Sequence, residues 1–164
     1  MKIQWFPGHM YKAGKEIKET LPDIDLLIEI LDARLPFSSA NPLLSELRGD
    51  KPCIKILNKS DLADPLRTQQ WQEFLEQEDG VKALALTAVH TDKVDTVIDL
   101  CRKLIPHKAT ASKVIHVLIM GIPNVGKSTL INALAGRTIA KTGNEPAVTK
   151  HQQRIDLRNG IILC

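Results

Sequence analysis

The stretch Val114-Ile-His-Val-Leu-Ile-Met120, followed by Gly121-Ile-Pro-Asn-Val-Gly126-Lys127-Ser128, constrains the fold more than any other part of the chain. An almost wholly apolar run of this length reads as a strand covered on both faces. Beyond the glycine-punctuated loop, Leu130, Ile131 and Leu134 recur at helical spacing, and Gly136 supplies the stop. A strand that feeds a helix through a short loop needs a neighbouring parallel strand to pack against, so the chain is directed towards an α/β fold. The loop matches GxxxxGK[ST]. Its glycines let successive amides turn inward around a phosphate, and the helix that follows adds its N-terminal dipole. Gly121, Asn124, Val125, Gly126, Lys127, Ser128 and Thr129 are therefore candidate phosphate-site residues. Lys127 would neutralise the β- and γ-phosphates, and Ser128 would ligate Mg²⁺. An ordinary glycine turn is the alternative, and the strand–loop–helix context argues against it.

The remainder agrees with that class. Lysines flank Met10, Gly14, Ile17 and Leu21, which predicts a basic helix over about 10–21, stopped by Pro22. Strands are expected at Asp25–Leu31 and Pro52–Leu57, and a short helix opened by Asn41-Pro42 should close at Gly49. Asp64-Pro65 is an N-cap followed by a proline suited to the first helical position, and that helix is predicted to run to about Gly80. Lys82–Leu86 reads as a third strand. Val94, Val97, Ile98, Cys101, Leu104 and Ile105 form one apolar helix face ending at Pro106. His151–Leu157 and Ile161–Cys164 flank Arg158-Asn159-Gly160, a hairpin signal. These elements predict one domain over residues 1–164: a mostly parallel, six-stranded sheet with helices on both faces. With 43% hydrophobic but only 4% aromatic residues, its core must be aliphatic.

A second motif selects the nucleotide. Asn58-Lys59-Ser60-Asp61 closes the second strand. A carboxylate that reads guanine accepts from the N1–H and the 2-amino group, a donor pair that adenine lacks. Asp61 would be that acceptor, Asn58 would support the pocket, and the Lys59 stem would pack along the ring. A wrong base would leave buried polar groups without partners. Thr87-Ala88 follows the third strand, where a backbone amide could meet the guanine O6. The alternative is a polar turn after a strand, but both motifs together arise by chance in only about one chain in 10⁴. Here the base-reading motif precedes the phosphate loop, whereas an ordinary Ras-like GTPase has the reverse order. The spatial site survives if strands lie side by side regardless of sequence order.

Those residues, with Trp5-Phe-Pro-Gly-His9-Met10, Asp32-Ala-Arg34, Pro146-Ala-Val-Thr149-Lys150 and Gln152-Gln153, resemble the circularly permuted GTPases of the YlqF/RbgA type over essentially the whole chain. The resemblance implies a P-loop NTPase, a Ras-like fold in permuted order, that binds and hydrolyses GTP with magnesium and assists assembly of the large ribosomal subunit. It implies three further roles: Thr149 as the switch threonine on Mg²⁺, His9 as the catalytic residue positioning the attacking water, and Asn124 as a ligand of potassium near the phosphates. Read from the residues alone, His9 suits a structural or RNA-facing role, Asn124 a loop amide and Thr149 a loop threonine. Asp32 and Arg34 read as a strand-end pair. The chain departs from the family at Pro146-Ala147, where members have Pro-Gly. It also stops at Ile161-Ile-Leu-Cys164, where the family continues into Asp-Thr-Pro-Gly and then a helical C-terminal domain; hydrolysis is expected to be impaired without that motif.

Partners follow from charge. The net charge is only +3, but residues 1–18 hold four lysines against one glutamate. Lys2, Lys12, Lys15 and Lys18 with Trp5, Phe6 and Tyr11 would suit ribosomal RNA, by phosphate contact and base stacking. A solvated amphipathic helix fits the same residues, and so does a GTP-dependent switch acting on a protein partner. An ATPase or small-molecule kinase is disfavoured by Asn58–Asp61. Nothing points to DNA, or to a small-molecule substrate beyond GTP and water. No apolar run is long enough to span a bilayer, and the N-terminus does not read as a signal peptide. Cys53, Cys101 and Cys164 are too scattered for a disulfide framework or zinc site, so the expected location is the cytoplasm.

Overall fold

The computed structural model describes residues 18–19, 21–39, 46–87, 94–106, 114–121, 127–135, 155–157 and 161–163. Four long strands, β1 (Leu26–Asp32), β2 (Cys53–Asn58), β3 (Val81–Ala85) and β4 (Ile115–Gly121), lie parallel in the order β3-β2-β1-β4. Two three-residue strands, β5 (Ile155–Leu157) and β6 (Ile161–Leu163), extend the sheet to six strands. β6 runs parallel to β4, and β5 is its antiparallel partner, as Asn159-Gly160 predicts.

The absence of polar alternation in β1 and β2 has a direct cause: both faces are covered. All six residues of β2 and six of the seven in β1 are buried. On one face Leu26, Ile28 and Ile30 join Ile54, Ile56, Val117 and Ile119. Covering them are helix α2 (Val94–Leu104), through Val97, Ile98 and Cys101, and helix α3 (Lys127–Ala135), through Leu130, Ile131 and Leu134. Leu31 and Leu57 on the other face meet Trp71 and Leu75 of helix α1 (Pro65–Leu75), while Leu27 and Cys53 meet Leu21, Ile24 and Leu47. Burial raises the Cys53 thiol to about 11 and the Cys101 thiol to about 12.

Between those two apolar clusters sits an ion pair. Glu29 and Lys55 are register partners on β1 and β2, with Nζ 3.0 Å from Oε1 and side-chain exposures of 2% and 11%. In the sequence Glu29 reads only as an interruption of an apolar run.

α1 begins as expected: the Asp64 side chain accepts from the amides of Leu66 (2.9 Å) and Arg67 (3.1 Å), with Pro65 at the first position. It ends at Leu75, five residues before the expected stop. The polar groups beyond Leu75 are drawn elsewhere: the Glu76 carboxylate accepts from the Ala83 amide at 3.0 Å, and Glu78 accepts from buried Arg48 at 2.8 Å. Gly80, at φ +76°, completes the turn into β3. A helical turn at Pro36–Ser39 has no signal in the sequence pattern. Of the expected basic helix over 10–21, residues 18–19 are helical, Leu21–Asp23 is a 3₁₀ turn, and the rest lies outside the described residues.

Candidate nucleotide-binding site

Parallel strands bring their C-terminal ends to one edge, and the candidate residues arrive there from four of them. β2 ends in Asn58, β3 leads into Leu86-Thr87, β1 ends in Asp32, and β4 ends in Gly121. The chain steps from β1 outward through β2 to β3, then returns to place β4 on the opposite side of β1. Crevices at such reversals of strand order are where open α/β sheets bind ligands.

Asn58 is 4% exposed, and its carbonyl accepts from the Ala33 amide at 2.8 Å. Lys59 then takes φ 60°, ψ 34°, the single non-glycine residue at positive φ among the described residues. This left-handed step turns the chain out of the sheet into the 3₁₀ turn Ser60–Leu62, where Lys59 O accepts from the Leu62 amide at 3.0 Å. Asp61 therefore lies exposed at the edge. The Thr87 hydroxyl donates to Asp61 Oδ1 at 3.1 Å, across 26 residues of sequence. The Leu86 amide donates to Leu57 O at 3.0 Å and holds the two loops at that spacing. A carboxylate offers about four lone-pair sites, so one bond from Thr87 leaves capacity for two purine donors.

Asp32 and Arg34 form the expected pair and more. Asp32 Oδ1 accepts from the Arg34 amide (2.9 Å) and Nε (3.0 Å), and Oδ2 accepts from Nη2 (2.7 Å). The Arg34 side chain holds the Asp32 carboxyl below its ordinary range despite partial burial, and Asp32 raises Arg34 in turn. Lys59 Nζ stands 3.8 Å from the same Oδ2. Sequence spacing carries no signal of this contact with Lys59, because it depends on the register that sets Asp32 beside Asn58.

At the candidate phosphate end, Gly121 is the last residue of β4. Lys127 and Ser128 open α3, with Thr129, half-buried, in the same first turn. The amides of that turn have no intrahelical acceptor and face an incoming anion. Asn124, Val125, Gly126, His9, Ala88 and Thr149 lie outside the described residues. Among the described residues no cluster of His, Cys, Asp or Glu could hold a metal by itself, and no helix is long and apolar enough to cross a membrane.

Comparison with known proteins finds similarity to GTPases. Residues 116–164 fit the model of the 50S ribosome-binding GTPase family. Ribosome biogenesis GTPase A of Bacillus pumilus is 47% identical over 160 residues, covering 93% of this chain and 56% of that protein. Over most of its length the chain is similar to the YlqF/RbgA-type GTPases. Ribosome biogenesis GTPase A of Priestia megaterium is 44% identical, covering 99% of this chain and 59% of its own length. Among solved structures, GNP-bound YlqF from Thermotoga maritima superposes with a TM-score of 0.61 at 30% identity, over 93% of this chain and 55% of that one. The chain thus spans a little over half the length of these relatives.

Proposed function

We infer that this chain is the nucleotide-binding part of a GTPase that assists assembly of the large ribosomal subunit, acting on the subunit precursor and its RNA in the cytoplasm. One observation carries the reading: the Thr87–Asp61 hydrogen bond unites the two base-reading loops at the edge where α3 presents its first turn. The motif order makes the domain a circular permutant of the Ras-like fold, with the base reader ahead of the phosphate loop. Similarity to Ribosome biogenesis GTPase A supports this, as does the GNP-bound state of the YlqF neighbour.

Each residue then has a task. Asp61 accepts the guanine N1–H and 2-amino donors, Asn58 braces the loop from within the sheet, and Ser60 completes the turn that presents Asp61. Thr87 and Ala88 close the O6 side. Gly121, Asn124, Val125, Gly126 and Thr129 shape the phosphate cradle, with Lys127 neutralising the β- and γ-phosphates. The hydroxyl of Ser128, in the first turn of a helix aimed at phosphates, is a hard oxygen donor of the kind magnesium takes alongside substrate phosphates. Ser128 and Thr149 would hold that ion, which when bound offsets charge developing on the transferred phosphoryl group. His9 orients the attacking water, and Asn124 also contributes to a potassium site.

Replacing Asp61 by Asn turns one acceptor towards the guanine donors as a donor itself. GDP affinity should fall, and preference should move to xanthosine diphosphate, whose 2-oxo group accepts that donor. Titration of both nucleotides is the test, and wild-type affinity for GDP in Asp61→Asn would refute the assignment.

A further inference from the structure

Four charged side chains of alternating sign stand at the ends of β1 and β2: Arg34, Asp32, Lys59 and Asp61. Their arrangement carries more than a strand-end salt bridge. Asp32 is the register partner of Asn58, and the 2.8 Å bond from the Ala33 amide to Asn58 O fixes the distance between the two loops. Three bonds from Arg34 orient the Asp32 carboxylate, whose Oδ2 faces Lys59 Nζ at 3.8 Å.

We propose that Asp32 is a positioning residue for Lys59, tethering its ammonium so that the stem lies ready along the purine face and stays off Asp61. The proposal rests on the reading of Asn58–Asp61 as the base site. Two arguments lead to it. Lys59 adopts a left-handed backbone, a conformation that persists in a residue with a side chain only where surrounding contacts enforce it. More important, Asp61 lies two residues from Lys59, and a lysine with a free stem would reach for that carboxylate, the group the base must find accessible. Asp32 offers the ammonium a competing anion, 3.8 Å from Nζ. Arg34 keeps this anion ionised well into acid, since the guanidinium holds the Asp32 carboxyl below its ordinary range. A long side chain restrained before the ligand arrives also loses less freedom on binding.

A double-mutant cycle on the full-length protein tests this, with GDP affinity and melting temperature read for each variant. Asp32→Asn keeps the shape and removes the charge; Lys59→Met keeps the stem and removes the ammonium. Asp32→Asn should weaken GDP binding about three- to fivefold, the scale of a partly exposed ion pair. In the Lys59→Met background the same substitution should have no further effect on affinity, whatever it does to the melting temperature. A purely structural role for Asp32 would weaken binding equally in both backgrounds, and that result overturns the proposal, as does unchanged GDP affinity in Asp32→Asn. Asp61→Asn is the control for the underlying site. If it binds GDP like wild type, the base-site reading and the proposal fail together; if it weakens GDP while the cycle is additive, the proposal alone fails.

Discussion

Substituting Lys55 by Met removes one charge from a pair enclosed between two apolar clusters of the sheet. Glu29 would remain at 2% exposure, without the ammonium that stands 3.0 Å away. Removing one partner of a buried pair leaves the other's charge without its counter-charge and costs about 3–5 kcal/mol of unfolding free energy. Urea unfolding, followed by circular dichroism, measures it. Replacing both partners, Glu29→Leu with Lys55→Met, should recover stability to within about 1 kcal/mol of wild type. A Lys55→Met loss under about 1 kcal/mol, or no recovery in the double substitution, would refute the reasoning.

Three other outcomes are expected. Asp64→Ala strips the side-chain acceptor from the Leu66 and Arg67 amides and should cost about 1 kcal/mol of unfolding free energy, read by the same urea titration. With thiols raised by burial to about 11 and about 12, Cys53 and Cys101 should resist iodoacetamide at pH 8 in the native protein and react once it is unfolded, as peptide mass mapping would reveal. Reversing charge at Lys12, Lys15 and Lys18 should weaken binding to ribosomal RNA and flatten its salt dependence, because a phosphate that no lysine neutralises keeps its condensed counterion; an unchanged slope in a filter-binding titration would remove these lysines from the interface.

Local chemistry is legible in the sequence wherever a residue's task depends on its immediate neighbours. A run that is apolar but for a single polar residue within it reads as a strand buried on both faces, so β1, β2 and β4 can be read directly. Asp64-Pro65 announces a helix start because both residues act within one turn. Asn58–Asp61 and Gly121–Ser128 read as nucleotide motifs because their residue types and spacing are those a base reader and a phosphate loop would need. The end of α1 escapes such reading for the opposite reason: beyond Leu75 the Glu76 and Glu78 carboxylates accept from the Ala83 amide and from Arg48, contacts with β3 and a distant segment that no local pattern encodes.

Tertiary structure decided what depends on which strands are neighbours. The order β3-β2-β1-β4 arises from crossovers that the linear pattern leaves open, and it alone brings Asp61 to Thr87 and Asp32 to Lys59. Register had the same authority over charge. Glu29 looks like a flaw in an apolar strand until it is paired with Lys55 at the same level of the adjacent strand, where two groups costly to bury singly stabilise each other. Residue types and their local spacing determined what chemistry this chain can perform; the pairing of strands far apart in sequence determined where those groups meet, because a parallel sheet places distant residues side by side at a separation no local pattern encodes.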